Sequence, residues 1–590
     1  MTCVRSSIMR LDFPARHCLI LLFAALFVGV MGVERVRGNP PTYDNAADLA
    51  AVDGSKSSLS AEIDGRITPA IGQDSPLPGS LIPRIEDETV VNGAGFVEQT
   101  SAEFPTLHSF LTSQPAPPPK PGAPKAKLAF PPPQVVNQPG PWKLLFYDND
   151  FSMLKNPNHE WMPGEHLKDM EGTLFGEDLR ISAGGELRYR YITEKNRIRR
   201  GPATKEDLNL IRWRNYLDVH YSDWLRLYLE QIDGSVSGDR APRQAIDENR
   251  WDLTNAFVDL VLFKDDDRSS IFRYGRQELF FGRQRLISPL DWSNTRRTFQ
   301  GFRYMHQEGD WKLDLFTVNP VSAASGFNNV DISGTNFDKP NYDVQFSGAY
   351  TTYTGIENTV FDLYWLWMDN SQPKPGFADG SRHLVGTRYA QLIPVSDGIA
   401  HDDRVWDVEV EGGYQFGNDL GKEVQAGFAT MVVGQTWKRN PWQPRFSGLF
   451  YWGSGDENPN DNINNTFFTY FPLGHAYWAL SDNVSGQNLI DYSLQLDVKP
   501  TSKLTAATAF HWMQLASGQD SGYQVNQTPF GAAGNGTGLG TALDVYGVYN
   551  FKPWWDMQAG YSWYWFGKFV DRTIPRGDCT QFYIQTSLRY

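Results

Sequence analysis

The stretch LRISAGGELRYRY, Leu179–Tyr191, alternates between two kinds of side chain. Apolar or aromatic residues occupy most odd positions, while Arg, Ser and Glu predominate at the even ones. Because successive side chains of a strand point to opposite faces, a period of two predicts a β-strand with one apolar and one charged face. The stretch therefore predicts an amphipathic strand rather than a helix.

The same alternation recurs along the chain after Pro141. The clearest examples are Arg212–Tyr221, Trp224–Gln231, Val360–Met368 and Arg404–Phe416. At roughly 10 residues per strand plus connections, the region after the Pro-rich tract accommodates about 16–20 strands. Between Leu179 and Tyr590, about 18 segments alternate in this way. The pattern predicts an all-β fold of antiparallel strands.

One amphipathic strand fits either a soluble sandwich or a membrane barrel, whose apolar face meets lipid. Three features favour the barrel. Trp and Tyr flank the apolar faces, as at membrane interfaces, and short turns alternate with long polar loops such as Ser454–Asn465. The chain also ends in an alternating strand, Phe582–Tyr590, whose final aromatic residue resembles the assembly signal of bacterial outer-membrane barrels. We predict a transmembrane antiparallel β-barrel of about 18 strands in the bacterial outer membrane.

Residues 1–38 have the parts of a secretory signal peptide. Arg5, Arg10 and Arg16 precede the apolar stretch Cys18–Val33, and small residues follow it near Gly38. A single anchoring helix is the alternative, but this stretch is short for a span of about 20 residues. We predict export and cleavage near Gly38.

Residues 39–140 lack sustained periodicity and end in a Pro-rich tract, Gln114–Gln134. Such a composition buries too little apolar surface to offset the entropy of ordering, and it favours extended conformations. We predict a disordered or semi-rigid periplasmic spacer, with a peptide-recognition tract as the alternative. The barrel itself is predicted for residues 141–590.

Composition excludes several classes of protein. The formal net charge of −14 disfavours a nucleic-acid partner. Two of the three cysteines lie in the leader, so after cleavage Cys579 remains alone and neither an intrachain disulfide nor a Cys-based zinc site is expected.

From residue 143 onward, the sequence resembles the alginate-export family of outer-membrane proteins. The most specific motif is Arg273–Leu279, RYGRQEL, and further motifs follow the family's order over most of 143–590. They are Tyr147–Ser152, Gly184–Arg190, Asp247–Arg250, Asp252-Leu253, Asn255–Phe257, Gly282-Arg283, Arg285-Leu286, Asn294–Phe299, Ser454–Asp456, Asp482, Gln487–Leu489, Gly560–Ser562 and Phe566-Gly567.

The resemblance implies an 18-stranded barrel whose electropositive constriction passes a uronate polysaccharide outward. Two features depart from the family pattern: a family acid appears replaced within Gly540–Asp544, and the Pro-rich N-terminal extension lies outside it.

A pore for carboxylated sugars requires fixed cations, and Arg offers a planar fork that matches a carboxylate. Arg is costly on a lipid face at mid-membrane, so arginines within strands are expected in the lumen. The predicted pathway residues are Arg188, Arg190, Arg212, Arg214, Arg226, Arg273, Arg276, Arg283, Arg285, Arg296, Arg297 and Arg303. Glu186, Glu230, Asp259 and Glu278 are the predicted acidic partners of these arginines in the lumen. The alternative for each arginine is that it only braces the barrel wall.

Signatures of catalysis and metal binding are weak, and we predict no enzyme, cofactor or metal. His159, Glu160, Glu165 and His166 do not have the spacing of a zinc motif. Asp456, Asn458, Asn460 and Asn462 resemble half of a calcium loop, but Asp461 stands where such a loop requires glycine. His511 and Ser517 could form a hydrolase pair but have no recognisable third partner.

The sequence thus favours a passive outer-membrane channel for an anionic, alginate-like polysaccharide or its oligomers. A general or uptake porin for small anionic or sugar solutes is the first alternative, because the lumen also carries many acids. An adhesive barrel that binds envelope components through its spacer is the second. The expected partners are outer-membrane lipid and the polysaccharide; periplasmic export machinery is left open as a further partner.

Overall fold

A computed structural model describes residues 140–172, 176–200, 205–238, 240, 244–321, 337–371, 380–395 and 404–590. The predicted signal peptide, 1–38, and the predicted spacer, 39–140, lie outside the described residues except for Gly140.

Within the described residues, eighteen long strands form the wall of one sheet. In chain order they are β1 Gly176–Lys195, β2 Lys205–Tyr221, β3 Leu225–Ser237, β4 Asn249–Lys264, β5 Arg268–Gln277, β6 Thr298–Glu308, β7 Trp311–Val321, β8 Val344–Tyr353, β9 Thr359–Asn370, β10 Gly380–Val395, β11 Arg404–Asp419, β12 Lys422–Trp437, β13 Arg445–Gly453, β14 Leu489–Val498, β15 Leu504–Gln514, β16 Gly538–Lys552, β17 Trp555–Phe566 and β18 Cys579–Arg589.

Each wall strand pairs in antiparallel fashion with its sequence neighbours, and β1 also pairs with β18, so the sheet closes on itself. This confirms the predicted antiparallel barrel of about 18 strands. The C-terminal residue completes the closure: the backbone groups of Tyr590 and Gly185 exchange hydrogen bonds of 2.9 and 3.1 Å. Gly185 is required there, because a Cβ would lie 2.1 Å from the carbonyl oxygen of Arg214.

Alternation decides which face of each strand points outward. On β2, Trp213 is 41% exposed on the outside, whereas its neighbours Arg212 and Arg214 are 1% exposed on the inside. Large apolar side chains are exposed on the outer face of many other strands, including Leu227 on β3 and Leu363 on β9. An apolar outside and a charged inside suit a barrel that sits in lipid.

The connections differ at the two ends of the barrel. At the end that holds Tyr590 and the start of β1, which we call the terminal end, the described connections are short, such as 222–224 and 309–310. At the opposite end, several connections are longer, including 278–297 between β5 and β6 and 454–488 between β13 and β14, although only residues 420–421 join β11 to β12.

Three parts of the chain fold into the barrel. We call them the inner loop (278–297), the second loop (454–488) and the N-terminal segment (140–169). Five 3₁₀ helices and one α-helix occur in the described chain: Phe146–Asp148, Ser152–Lys155, Glu165–Leu167, Ile198–Arg200, Gly474–Ala476, and α1, Lys568–Thr573. Short strand pieces lie at Met170–Gly172, Ile463–Asn464, Gly522–Tyr523 and Pro529–Phe530.

In the described part of the chain, the helices are all too short or too polar to span a membrane.

Candidate functional site: the charged lumen

The inner loop is held by arginines from the barrel wall. Arg188 on β1 donates to the carbonyl oxygens of Asp291 and Ser293 at 2.8 and 2.6 Å. Arg190, two residues further along the same face, donates to the carbonyl oxygen of Trp292 at 2.6 Å and to Gln585 at 2.8 Å. These two predicted pathway residues therefore bind the backbone of the loop.

Asp291 is the carboxylate at the centre of this arrangement. It pairs with Arg212 of β2 at 2.9 Å and with Arg296 of the loop itself. Burial alone would raise the pKa of Asp291, but the guanidinium groups of Arg212 and Arg296 hold it well below its usual range. Asp291 was missing from the predicted set because it lies in a loop, where strand alternation gives no signal.

Other predicted residues also form ion pairs or hydrogen bonds that hold the inner loop. Glu186 pairs with Arg212 at 2.7 Å, and Glu278 pairs with Arg296. Arg297 donates to carbonyl oxygens of Ser288 and Pro472 at 3.2 Å each, and so links the inner loop to the second loop. Burial lowers the pKa of Arg297 to about 10, which still leaves it charged at neutral pH.

On the far wall, the inner loop meets acids of β11. Arg285 pairs with Glu409 and, at 2.6 Å, with Glu411, and Arg283 lies 3.3 Å from Glu409. The inner loop thus reaches across the lumen from β1 to β11. On one side the loop supplies an acid, Asp291, to an arginine of the wall. On the other side it supplies arginines to the acids of β11.

A pocket remains beside the second loop, against the wall formed by β12–β16. Arg283 and Arg285 contribute to its lining, together with Arg445 on β13. Its other polar lining residues are Ser447, His475, Tyr477, Ser493, Gln495, His511, Asp544 and Tyr546. Sequence reasoning missed Arg445, which is the first residue of β13 and faces the lumen.

Arg445 is held by two acids, Asp407 at 2.6 Å and Asp497 at 3.0 Å. His511 forms a 2.9 Å contact with Asp491 of the neighbouring strand. Ser517 lies beyond the end of β15, and its hydroxyl donates instead to the carbonyl oxygen of Asp456 at 2.8 Å. In the described residues, therefore, His511 and Ser517 are engaged with different partners rather than with each other.

The remaining predicted arginines lie on β2, β3, β5 and β6. At the terminal end, Arg214 pairs with Glu230, Arg226 with Asp218 at 2.8 Å, and Arg273 with Asp259 at 2.6 Å. Arg276 contacts Asp252 at 3.2 Å, and Arg303 donates to Asp314 at 2.7 Å.

The structure thus places all twelve predicted arginines and all four predicted acids inside the barrel, but in separate clusters. Of the twelve, Arg283 and Arg285 line the pocket, while most of the others hold the inner loop or pair along the wall. Among the described residues, buried Asp and Glu outnumber buried Arg and Lys. The lumen is therefore a lattice of paired charges, and a net positive constriction stays a prediction.

The candidate metal residues are also placed. His159 contacts Glu165 at 3.1 Å near the terminal end. In the 456–462 stretch, the backbone amides of Asn458 and Asn460 donate to the side chains of Asp456 and Asn458. Within the described residues, His, Cys, Asp and Glu form no group of three or more that could hold a metal ion.

A closed barrel with an apolar outer face and a charged, loop-filled interior defines an outer-membrane β-barrel channel. The terminal end, with its short turns, is then the periplasmic end. A family model described as alginate export matches residues 179–581. The chain belongs to this family, which indicates a channel rather than an enzyme and confirms the predicted family and location.

Solved structures of proteins from Pseudomonas aeruginosa are similar at low identity. OccK5 (OpdH) is 11% identical with a TM-score of 0.47, and the match covers 70% of this chain and 98% of that one. The outer membrane protein OprD is 11% identical with a TM-score of 0.45, over 69% of this chain and 94% of that one. Among curated proteins, no relative matches.

Proposed function

We propose that this channel passively conducts an anionic, alginate-like polysaccharide or its oligomers, and that the path follows the pocket along β12–β16. Membership of the alginate-export family supports the class of substrate. The observation that carries the proposed path is the pocket lining, which combines guanidinium groups with hydroxyl, amide and imidazole groups. Arg donates to carboxylates in a planar fork, and the neutral groups suit the hydroxyls of a sugar.

The paired charges support transit rather than tight capture. Conduction requires binding that is favourable enough to enter and weak enough to leave. Arg283 shares Glu409 with Arg285 and Arg388, so an arriving carboxylate competes with a carboxylate already present. As a sugar carboxylate arrives, the arginine exchanges a carboxylate of the wall for that of the sugar, and no step leaves a buried charge unpaired.

Single-channel recording of the mature full chain tests this proposal, with oligomannuronate as the blocker. In Arg283→Gln, Glu409 keeps two guanidinium partners, so the wall should remain intact while half-block requires about 10-fold more oligomer. Arg303→Gln is the matched control: it removes an interior arginine that is absent from the pocket lining. We expect its half-blocking concentration to equal that of the unaltered chain.

Equal block in both variants would contradict the proposed path. The excess of buried acids favours a second candidate, a general or uptake porin for small anionic or sugar solutes. That candidate predicts a weakly selective pore whose current is indifferent to oligomannuronate in every variant.

A further inference from the structure

Three aromatic rings form a ladder on the inner wall at the periplasmic end. The rings belong to Tyr216, Tyr228 and Phe257 on the neighbouring strands β2, β3 and β4. Tyr216 and Tyr228 are stacked at 6.0 Å with 16° between their planes, and Tyr228 and Phe257 at 5.2 Å with 19°. All three side chains are buried, with Tyr228 at 0% exposure.

Guanidinium groups flank this ladder. Arg226 lies 5.4 Å from the ring centre of Tyr228, and Arg273 lies 3.6 Å from that of Phe257. The Nε and Nη2 groups of Arg273 donate hydrogen bonds to Asp259, while its buried Nη1 group has no hydrogen-bond partner among the described residues. A donor on a fixed guanidinium group therefore remains available beside the ladder.

Aromatic faces and guanidinium groups together suit a sugar acid. An aromatic face is electronegative and packs against electropositive hydrogens, such as the axial C–H groups of a pyranose ring. A guanidinium group binds a carboxylate through strong, charge-assisted hydrogen bonds. Three rings on adjacent strands offer successive platforms along one side of the entrance.

The N-terminal segment occupies the space next to the ladder. Phe146 packs on Tyr216 with ring centres 5.8 Å apart, and Tyr147 meets Tyr228 and Phe257 edge-on at 5.6 and 5.3 Å. The carbonyl oxygen of Tyr147 accepts a 2.7 Å hydrogen bond from Arg226. The segment thus presents rings to the ladder and an oxygen to a guanidinium group, which are the two contacts that a sugar acid would make.

We propose that Tyr216, Tyr228 and Phe257, with Arg226 and Arg273, form a binding subsite for a uronic-acid sugar at the periplasmic entrance, and that the N-terminal segment is its built-in competitor. The inference rests on the proposed function, because it supplies the first contact of the same substrate. The segment can leave without exposing unpaired charge, since Arg226 and Arg273 retain Asp218 and Asp259.

Block by oligomannuronate added at the periplasmic side of the full mature chain tests the subsite. The double variant Phe146→Ala/Tyr147→Ala weakens the competitor, so half-block should occur at about 5-fold lower concentration, because a larger fraction of sites is empty. Tyr228→Leu removes a platform, and Arg273→Lys keeps the charge beside Asp259 but loses the fork. Each should raise the half-blocking concentration about 5-fold.

Trp161→Ala is the matched control. Trp161 belongs to the same segment but is 62% exposed and packs against Trp554, away from the ladder. Its half-blocking concentration should equal that of the unaltered chain. Heat-dependent electrophoretic mobility reports whether each variant forms a barrel, and Arg273→Lys serves if Tyr228→Leu does not fold.

The outcomes separate the two proposals. Unchanged block in the double variant and in Arg273→Lys, together with weaker block in Arg283→Gln, would overturn the subsite and leave the proposed function standing. Ladder-dependent block by neutral maltohexaose but not by oligomannuronate would overturn the acidic ligand. Failure of oligomannuronate to block either the unaltered chain or the double variant would overturn the proposed function and the subsite together.

Discussion

The inner loop and the N-terminal segment both fill the lumen, but the wall holds them in different ways. The inner loop supplies Asp291 to Arg212 and Arg296, and backbone carbonyl oxygens to Arg188 and Arg190. The N-terminal segment instead packs rings and a carbonyl oxygen against arginines that already have acid partners in the wall.

The difference indicates which of the two parts can move. Withdrawing the inner loop would take both carbonyl acceptors from Arg188, one acid from Arg212 and the Arg285 partner from Glu411. A buried charge that loses its compensation is strongly destabilising. Withdrawing the N-terminal segment exposes aromatic surface, at a hydrophobic cost, but it leaves the charges of the wall paired. We infer that the inner loop is part of the folded core and that the segment is separable from it.

Removing the carboxylate of Asp291 should give the largest effect. Asp291→Ala takes an acid from Arg212 and Arg296 together, so we expect the free energy of unfolding to fall by about 3–5 kcal/mol. Unfolding in guanidinium chloride, followed by tryptophan fluorescence in detergent, measures this change.

Asp223→Asn is the control for that variant, because Asp223 is exposed in the turn between β2 and β3. Its free energy of unfolding should stay within about 0.5 kcal/mol of the unaltered chain. Equal stability of Asp291→Ala and Asp223→Asn would show that the loop does not depend on its ion pairs.

Two adjacent arginines of the inner loop, Arg296 and Arg297, allow ion pairs to be compared with hydrogen bonds to carbonyl oxygens. Arg296→Met leaves Glu278 and Asp291 short of a partner and should destabilise the barrel by about 3 kcal/mol. Arg297→Met loses hydrogen bonds to carbonyl oxygens but leaves no acid unpaired, so a loss of about 1–2 kcal/mol is expected. The same unfolding experiment compares them, and an equal or larger loss in Arg297→Met would contradict the distinction.

In the alternating stretches, the face of each wall residue could be predicted from the sequence. Alternation placed Arg188, Arg190, Arg212 and Arg214 on the inner face, and all four are buried there. It succeeds because the period of two is a property of a single strand, and an apolar outside leaves one face for charge.

The partners of these arginines could not be predicted in the same way. Alternation assigns a face but neither a depth nor a neighbour, so it could not reveal that Arg188 holds the backbone at Asp291. The aromatic ladder depends on the register of three strands, which hydrophobic pattern alone does not fix. The motif Tyr147–Ser152 was the one signal that residues before β1 belong to the barrel.

Removing the N-terminal segment should disturb the ion pairs of the barrel less than Asp291→Ala or Arg296→Met does. We expect the barrel still to fold after deletion of residues 141–167, because the ion pairs of the wall remain, although the apolar contacts of Trp142, Phe146 and Tyr147 are lost. The mean single-channel conductance should rise at the same time. A barrel that fails to form without these residues would show that the segment is part of the core.

Titration of Lys168 gives the smallest expected effect and reports on how the segment is anchored. Burial lowers the pKa of Lys168 to about 7, although its ammonium group lies 5.0 Å from the ring centre of Phe151 and donates to the carbonyl oxygen of Tyr590. Between pH 7 and about 10, the unfolded chain therefore holds this proton more often than the folded chain does. Stability should rise with pH across that window, because the buried charge is lost from the folded state first.

Lys168→Met isolates this contribution, since it keeps the apolar stem and has no charge to titrate. We expect the unaltered chain to gain about 1 kcal/mol relative to Lys168→Met between pH 7 and pH 10, less than burial alone would give, because the rings and carbonyl oxygens favour the charged form. Unfolding of both chains at pH 6, 8 and 10 measures the difference. A difference that falls as the pH rises would mean that these contacts outweigh burial, and that the ammonium group anchors the segment beside Tyr590 as a cation.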